Sequence, residues 1–243
     1  MRKLLQSLFG KPQAADTAAP TLFVDLPFET ILVPGHEAPA VRQKLVAKEG
    51  VTPVILGAEE DIQLMVDSLD ASPQSLTAVL LESEKVDATA WLEQRRRGDE
   101  DAYALEPGAW PHEARAAPGL SVHLQVLSGQ PKKNVLLALF PTPHSWETPA
   151  HMRYGGWNEC PPAPVHVALH KRWHQAFGAD IACMSSDVIE CTVARPPATR
   201  EAALALAREQ FLYCPDIVHQ GTQTLESLAA TLLGARTWYF WWD

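Results

Sequence analysis

The chain has 243 residues, of which 47% are hydrophobic and 20% charged, and its formal charge is −9. That length can bury a large core, in one large or two modest domains, and the composition excludes a disordered chain. The acidic balance excludes a broad nucleic-acid footprint, which needs a basic face. It is compatible with a small-molecule site or a basic protein partner.

The chain starts "MRKLLQSLFGKPQ". Gln6 and Ser7 interrupt its apolar run, which is shorter than a secretory core. Leu4, Leu5, Leu8 and Phe9 can form one turn of amphipathic helix, which buries too little to hold a membrane. No stretch approaches the ~18 apolar residues of a membrane span, so the expected compartment is the cytoplasm. "QAADTAAP" (13–20) reads as a linker, closing an N-terminal segment over 1–20.

A βαβα-like region is expected over 21–130. "TLFVDLP" is its first strand candidate, and "EAPAVRQKLVAKEG" is helical, with an apolar stripe of Ala40, Val41, Leu45 and Val46. "VTPVILG" is a continuous apolar run of strand length, expected to be buried on both faces. "AEEDIQLMVDSLD" restores helical spacing, with its acids in the first turn where the helix dipole favours them. "VDATAWLEQRRRGDED" is one more helix, and Arg95, Arg96 and Arg97 read as a solvated helix end. From about 102 to 134 the pattern weakens, with "EPGAWPHEARAAPG" as a loop.

The C-terminal domain is expected over 135–243. "NVLLALFP" is a strand, and a long connection (142–164) rich in Pro, Gly, Trp and His follows. "APVHVALHKRWHQAFG" is a helix ending at Gly178, and "ADIACMSSDVIECTVARPP" is a hairpin around Ser185, Ser186 and Asp187. "TREAALALAREQFLYC" is a helix with Thr199 as N-cap, and "TLESLAATLLG" another, capped by Thr224. "TWYFWW" is the closing strand. The order αββααβ sets the class as α/β or α+β, a mixed sheet flanked by helices. Trp238, Phe240 and Trp242 fall on one face of the last strand, Tyr239 and Trp241 on the other. An aromatic strand of this kind is expected inside the sheet, covered on both sides, because an exposed edge would aggregate. It serves as core, or as the wall of a pocket with indole N–H groups as polar handles.

"GGWNECP" (155–161), "ARPPATREAALALAREQFLYCPDIVHQG" (194–221) and "WYFWWD" (238–243) together resemble the domain-of-unknown-function family 4253. The resemblance covers roughly residues 135–243 and implies a bacterial cytosolic protein with an α/β domain. It brings no established activity and no catalytic residues. The chain departs from it at His219, where an acid is common in the family.

Three groups of residues suggest chemistry. His166, His170 and His174 share one helical stripe at i, i+4, i+8, and Cys160 lies just upstream. They read either as a metal site or as a half-exposed polar face beside a core face of Val165, Leu169, Trp173 and Phe177. "YCPDIVHQG" gathers Cys214, Asp216, His219 and Gln220. Here a Cys nucleophile with a His base competes with an ordinary helix-stop turn, and the negative helix end should raise the thiol pKa. "RYGGWNEC", with Trp157, Asn158 and Cys160, is a recognition loop or a plug for the core. No nucleotide or other cofactor motif is present. Cys160, Cys183, Cys191 and Cys214 lack disulfide or zinc-finger spacing and are expected to be reduced.

The function expected from these features is that of a non-enzymatic binding protein. Its partner would be a basic protein, such as a toxin that it neutralises, with no nucleic acid and no membrane involved. The alternative is a hydrolase or metal-dependent enzyme. Either way the site is placed where the 155–160 loop meets the 214–221 turn, built from Trp157, Asn158, Cys160, Asp216, His219 and Gln220.

Overall fold

The computed structural model describes residues 26–98, 108–112 and 119–243. The expected N-terminal helix and linker lie outside the described residues, as does most of the "TLFVDLP" strand candidate. The first described strand is instead β1, Glu29–Pro34. It is half-buried and lacks a clean apolar alternation, which is why its sequence did not mark it.

In chain order there follow α1 (Ala38–Leu45), β2 (Thr52–Gly57), α2 (Glu59–Ala71), α3 (Leu76–Ser83), α4 (Ala88–Gly98) and β3 (Asn134–Phe140). Then come α5 (Thr148–Met152), α6 (Ala163–Phe177), the hairpin β4 (Ala179–Met184) and β5 (Val188–Val193), and α7 (Arg200–Tyr213). A π-helical turn (Ile217–Thr222), α8 (Leu225–Leu232) and β6 (Thr237–Trp241) complete the chain. The local signals act as expected at several ends. Thr199 and Thr224 each accept a backbone N–H of the helix they cap, and Gly178 ends α6 in the left-handed region.

The strands form one mixed sheet in the order β1-β3-β2-β4-β5-β6. β3 runs antiparallel to both β1 and β2, and β2 meets β4 in parallel through the Ile55–Cys183 pair. The sheet therefore crosses the 130–135 boundary: β2 lies between β3 and β4. β2 is buried along its whole length, as its unbroken apolar run requires.

One face of the sheet carries the larger core, where Val54, Leu136, Ile189 and Phe240 pack under α2 and α4–α8. The other face packs Ile55, Val135 and Leu137 under Val41 and Leu45 of α1, with Val122. The core stripe of α1 differs from expectation. It is Ala38, Val41, Arg42 and Leu45, while Val46 is about half exposed. Arg42 is buried because its guanidinium has acceptors: Nε donates to the Pro53 carbonyl (3.1 Å) and a terminal nitrogen to that of Ile181 (3.3 Å).

The aromatic strand corrects a second expectation. Among the described residues β6 is at the edge of the sheet and pairs only with β5. Trp238 and Phe240, with Trp242 just beyond, are buried on one face, and Phe240 stacks on Trp173 with ring centroids 5.5 Å apart. Tyr239, on the other face, is exposed. The edge is capped near its end by chain rather than by a strand. The Cys214 thiol donates to the Trp241 carbonyl (2.9 Å), and the Asp216 carboxylate accepts the Asp243 N–H (3.1 Å). Such a cover shields that end of the edge from another strand.

Candidate functional site

The "GGWNEC" loop begins where α5 ends, with Arg153 in the left-handed region. Gly155 follows at φ 88°, and a Cβ there would lie 1.9 Å from the Pro161 carbonyl oxygen and 2.6 Å from His166 Nε2. Only glycine fits this position. Gly156 donates to the carbonyls of Cys160 and Pro161, closing the loop on itself. The loop has two sides. Tyr154 and Cys160 are buried, and Trp157 packs edge-on against Tyr154 and Trp242, while Asn158 and Glu159 face solvent. It is at once a plug for the core and a surface.

The structure joins this loop to the 214–221 turn through Asp243. Asn158 Nδ2 donates to the Asp243 main-chain oxygen (2.6 Å). Gln220 Nε2 donates to Asp216 Oδ1 (3.2 Å) and Asp243 Oδ2 (3.3 Å). Asn158, Asp216 and Gln220 are thus brought together at the surface. His219 is exposed and packs its ring on Phe211 (5.2 Å). On the other side of the loop is a hollow of about 590 Å³, lined by Arg95, Asn158, Glu159 and Cys160 among others. Arg95 corrects the reading of the arginine run. It pairs with Glu159 and donates to the Leu212 carbonyl, tying α4 to the loop, while Arg96 and Arg97 pair with Glu93 on their own helix.

The histidine stripe is not a half-exposed face along its whole length. His166 and His170 are completely buried, beside the expected Val165, Leu169 and Trp173. Tyr213, at the end of α7, brings its hydroxyl between them, 2.5 Å from His166 Nδ1 and 3.0 Å from His170 Nε2. Cys160 Sγ lies 3.4 Å from His166 Nε2, and Cys191 Sγ 3.7 Å from His170 Nδ1. The donors order themselves from one end. A proton on His166 Nε2, shared with the Pro161 carbonyl, would leave Nδ1 to accept the Tyr213 hydroxyl, His170 Nε2–H to donate to the phenolic oxygen, and His170 Nδ1 to accept from the Cys191 thiol. His174 stands apart, half-buried and bonded to Asp180 (2.9 Å). Among the described residues no three His, Cys, Asp or Glu side chains converge on one point as a metal site would require.

Burial sets the charge states of this relay. It holds the His166 pKa well below the ordinary value, with His170 as a second cause, and His170 itself at about 3. Burial also pushes up the thiols of Cys160, Cys191 and Cys214 and the phenol of Tyr213. The direction at Cys214 is the one expected, but the cause is burial, opposed by the backbone contacts with Trp241 and Ile217 and aided by the charge of Asp216, rather than the helix end. All four cysteines are free and buried.

Sequence reasoning missed Tyr213, Asp243 and Arg42. The signal for Tyr213 was present, because α7 presents Leu206, Gln210 and Tyr213 to the core at helical spacing. Nothing local marks Asp243 or Arg42, whose partners are far away in the chain.

The six-stranded mixed sheet with helices on both faces is of the α/β or α+β class, and it carries a buried Cys-His-Tyr-His-Cys relay and a surface of carboxylates and amides. Residues 136–243 match the family model DUF4253, a domain of unknown function. No curated protein and no solved structure matches the chain. The match starts within β3, so β2, which separates β3 from β4 in the sheet, comes from outside the family segment. Among the described residues no helix is long and apolar enough to cross a membrane.

Proposed function

We propose that this protein is a non-enzymatic binding protein of the bacterial cytoplasm that holds a basic protein partner against the surface formed by the 155–160 loop and the 214–221 turn. The observation that carries this reading is the pairing of Asp216 and Asp243. One Gln220 amide bridges their carboxylates, and Asn158 fixes the same main chain from the opposite loop. Carboxylates already ordered lose less freedom when a Lys or Arg docks on them. The charge of −9 adds long-range attraction for a basic partner. The buried groups argue in the same direction. The thiols are held protonated and the relay histidines neutral, which makes a poor nucleophile and leaves no histidine lone pair directed at a substrate. A role in neutralising a toxin would be one form of such binding.

The test is affinity capture from cells of the source organism with the wild-type protein and an Asp216→Asn, Asp243→Asn double variant, at low and high salt. Basic proteins retained by the wild type at low salt, released by high salt and lost from the variant are expected. Equal capture by both proteins would remove the surface from consideration.

A further inference from the structure

β6 has neither a charged residue nor a proline to blunt its outer edge. Its main chain alternates in direction. Val193 N–H donates to the Arg236 carbonyl (2.9 Å) and Trp242 N–H to that of Asp187 (3.1 Å), so in this unbroken register Trp238 and Phe240 also turn their main-chain groups toward β5. Those of Tyr239 and Trp241 turn outward. The Trp241 carbonyl takes the Cys214 thiol, but the N–H and C=O of Tyr239 and the N–H of Trp241 have no partner among the described residues.

A cleft of about 210 Å³ runs along this same edge. Trp238 belongs to the buried face of β6 and Tyr239 and Trp241 to the other face, yet all three line it. Residues of both faces meet in one cleft only along a strand's edge, and the inner edge is filled by β5. Ile217 of the π-helical turn and Leu228 and Leu232 of α8 make the opposite wall apolar. Asp216 lies at the end where it holds the Asp243 N–H. An occupant must therefore offer alternating N–H and C=O groups to the edge and an apolar group to the cleft, and an extended peptide does both. In antiparallel pairing the residue opposite Tyr239 exchanges both main-chain bonds with it. The next residue, opposite Trp238, sends its side chain to the Trp238 face, toward Leu228 and Leu232. The residues ahead of these run toward Asp216 and Asp243, which favours Lys or Arg there. The charge of −9 disfavours a second copy of this chain in the same place.

We propose that the outer edge of β6 takes an extended segment of the basic protein partner as an added strand, with one apolar side chain in the cleft and its basic residues beside Asp216 and Asp243. The charge of that segment rests on the partner reading, whereas the pairing itself rests on the main chain of β6.

Titration of the full-length, ¹⁵N-labelled protein with synthetic peptides tests it, so no variant of the protein has to fold. The parent peptide is acetyl-Lys-Arg-Thr-Val-Leu-Thr-amide, which sets its valine opposite Tyr239 and its leucine opposite Trp238. The backbone amide signals of Tyr239 and Trp241 are expected to move saturably, and their exchange with deuterium to slow. Methylating the valine nitrogen removes the donor to the Tyr239 carbonyl, and serine in place of the leucine empties the cleft. Each change should weaken binding at least tenfold. Glu-Glu in place of Lys-Arg should weaken it severalfold at low salt. Unmoved Tyr239 and Trp241 amides, or equal binding of the methylated or the serine peptide, would overturn the proposal. A dimer of the protein alone in sedimentation, with the Tyr239 amide already protected, would overturn it by giving the edge to a second copy. Equal binding of the Glu-Glu peptide, with the methylation effect intact, would support the added strand and count against the basic partner instead.

Discussion

The guanidinium of Arg42 donates to the carbonyl of Ile181, 139 positions later in the chain. Its Nε holds the Pro53 carbonyl at the same time, so one buried side chain of α1 clasps β2 to β4. This is the junction where the sheet changes from antiparallel to parallel, and there a single residue pair, Ile55–Cys183, is in register. Arg42→Met keeps the stem and leaves both carbonyls without a donor. We expect a loss of about 2 kcal/mol, in the range of hydrogen bonds to charged groups. At this chain length that lowers the melting temperature by roughly 4–8 °C. An unchanged unfolding midpoint in urea would show that the clasp contributes nothing.

Gly155 and Gly156 both adopt φ 88°, yet they meet different surroundings. A methyl group at 155 collides with the Pro161 carbonyl, whereas nothing lies within 4 Å at 156. Gly156→Ala should therefore cost only the left-handed backbone strain, about 1–2 kcal/mol. Gly155→Ala should cost more than that and should disturb the resonances of His166. Equal losses at the two positions in denaturant titrations would contradict the packing described.

His166 and His170 are held neutral in the folded state, and both regain an ordinary pKa near 6.5 on unfolding. Below that pH the unfolded chain binds protons that the folded one refuses. Stability is thus fully present above pH 6.5 and falls as the pH drops toward the folded value of about 3 for His170. The slope contributed is up to about 1.4 kcal/mol per pH unit for each histidine. Replacing His170 by Gln should flatten the curve of stability against pH. A wild-type curve already flat between pH 6.5 and 4 would refute the buried neutral relay.

Tyr213→Phe keeps the ring and removes the hydroxyl that both histidines share. Two buried ring nitrogens lose a partner, and a destabilisation of about 2–3 kcal/mol is expected. Calorimetry of the variant measures it, and a change under half a kilocalorie would mean that the histidines find other partners.

The four cysteines should be silent toward a thiol reagent in the native protein and react together on denaturation without reductant. Rapid modification of Cys214 in the folded state would show that its bond to Trp241 does not hold.

Much of the architecture was legible because its signals are local. The apolar run of β2, the turn at Ser185–Asp187, and the caps at Thr199 and Thr224 each depend on neighbours a few residues away. The meeting of the 155–160 loop with the 214–221 turn was also anticipated, from their irregular polar residues. The edge position of β6 was not. The sequence shows that its aromatics must be buried, and one face of a sheet suffices for three of them. The fate of the histidines was hidden for the same reason. His166 and His170 look like a polar face until the hydroxyl of Tyr213, on another helix, supplies their partner.

The placement of β2 between β3 and β4 also sets a timetable for synthesis. β1 and β2 emerge from the ribosome first, but neither pairs with the other; each binds β3, which is made later. Among the described residues, the chain up to β3 therefore carries two strands and four α-helices that have no sheet to receive them. Such distant pairings slow folding and leave apolar edges open meanwhile. The fully apolar "VILG" of β2 is open to wrong partners in that interval, since β3 covers one of its edges and β4, made later still, the other.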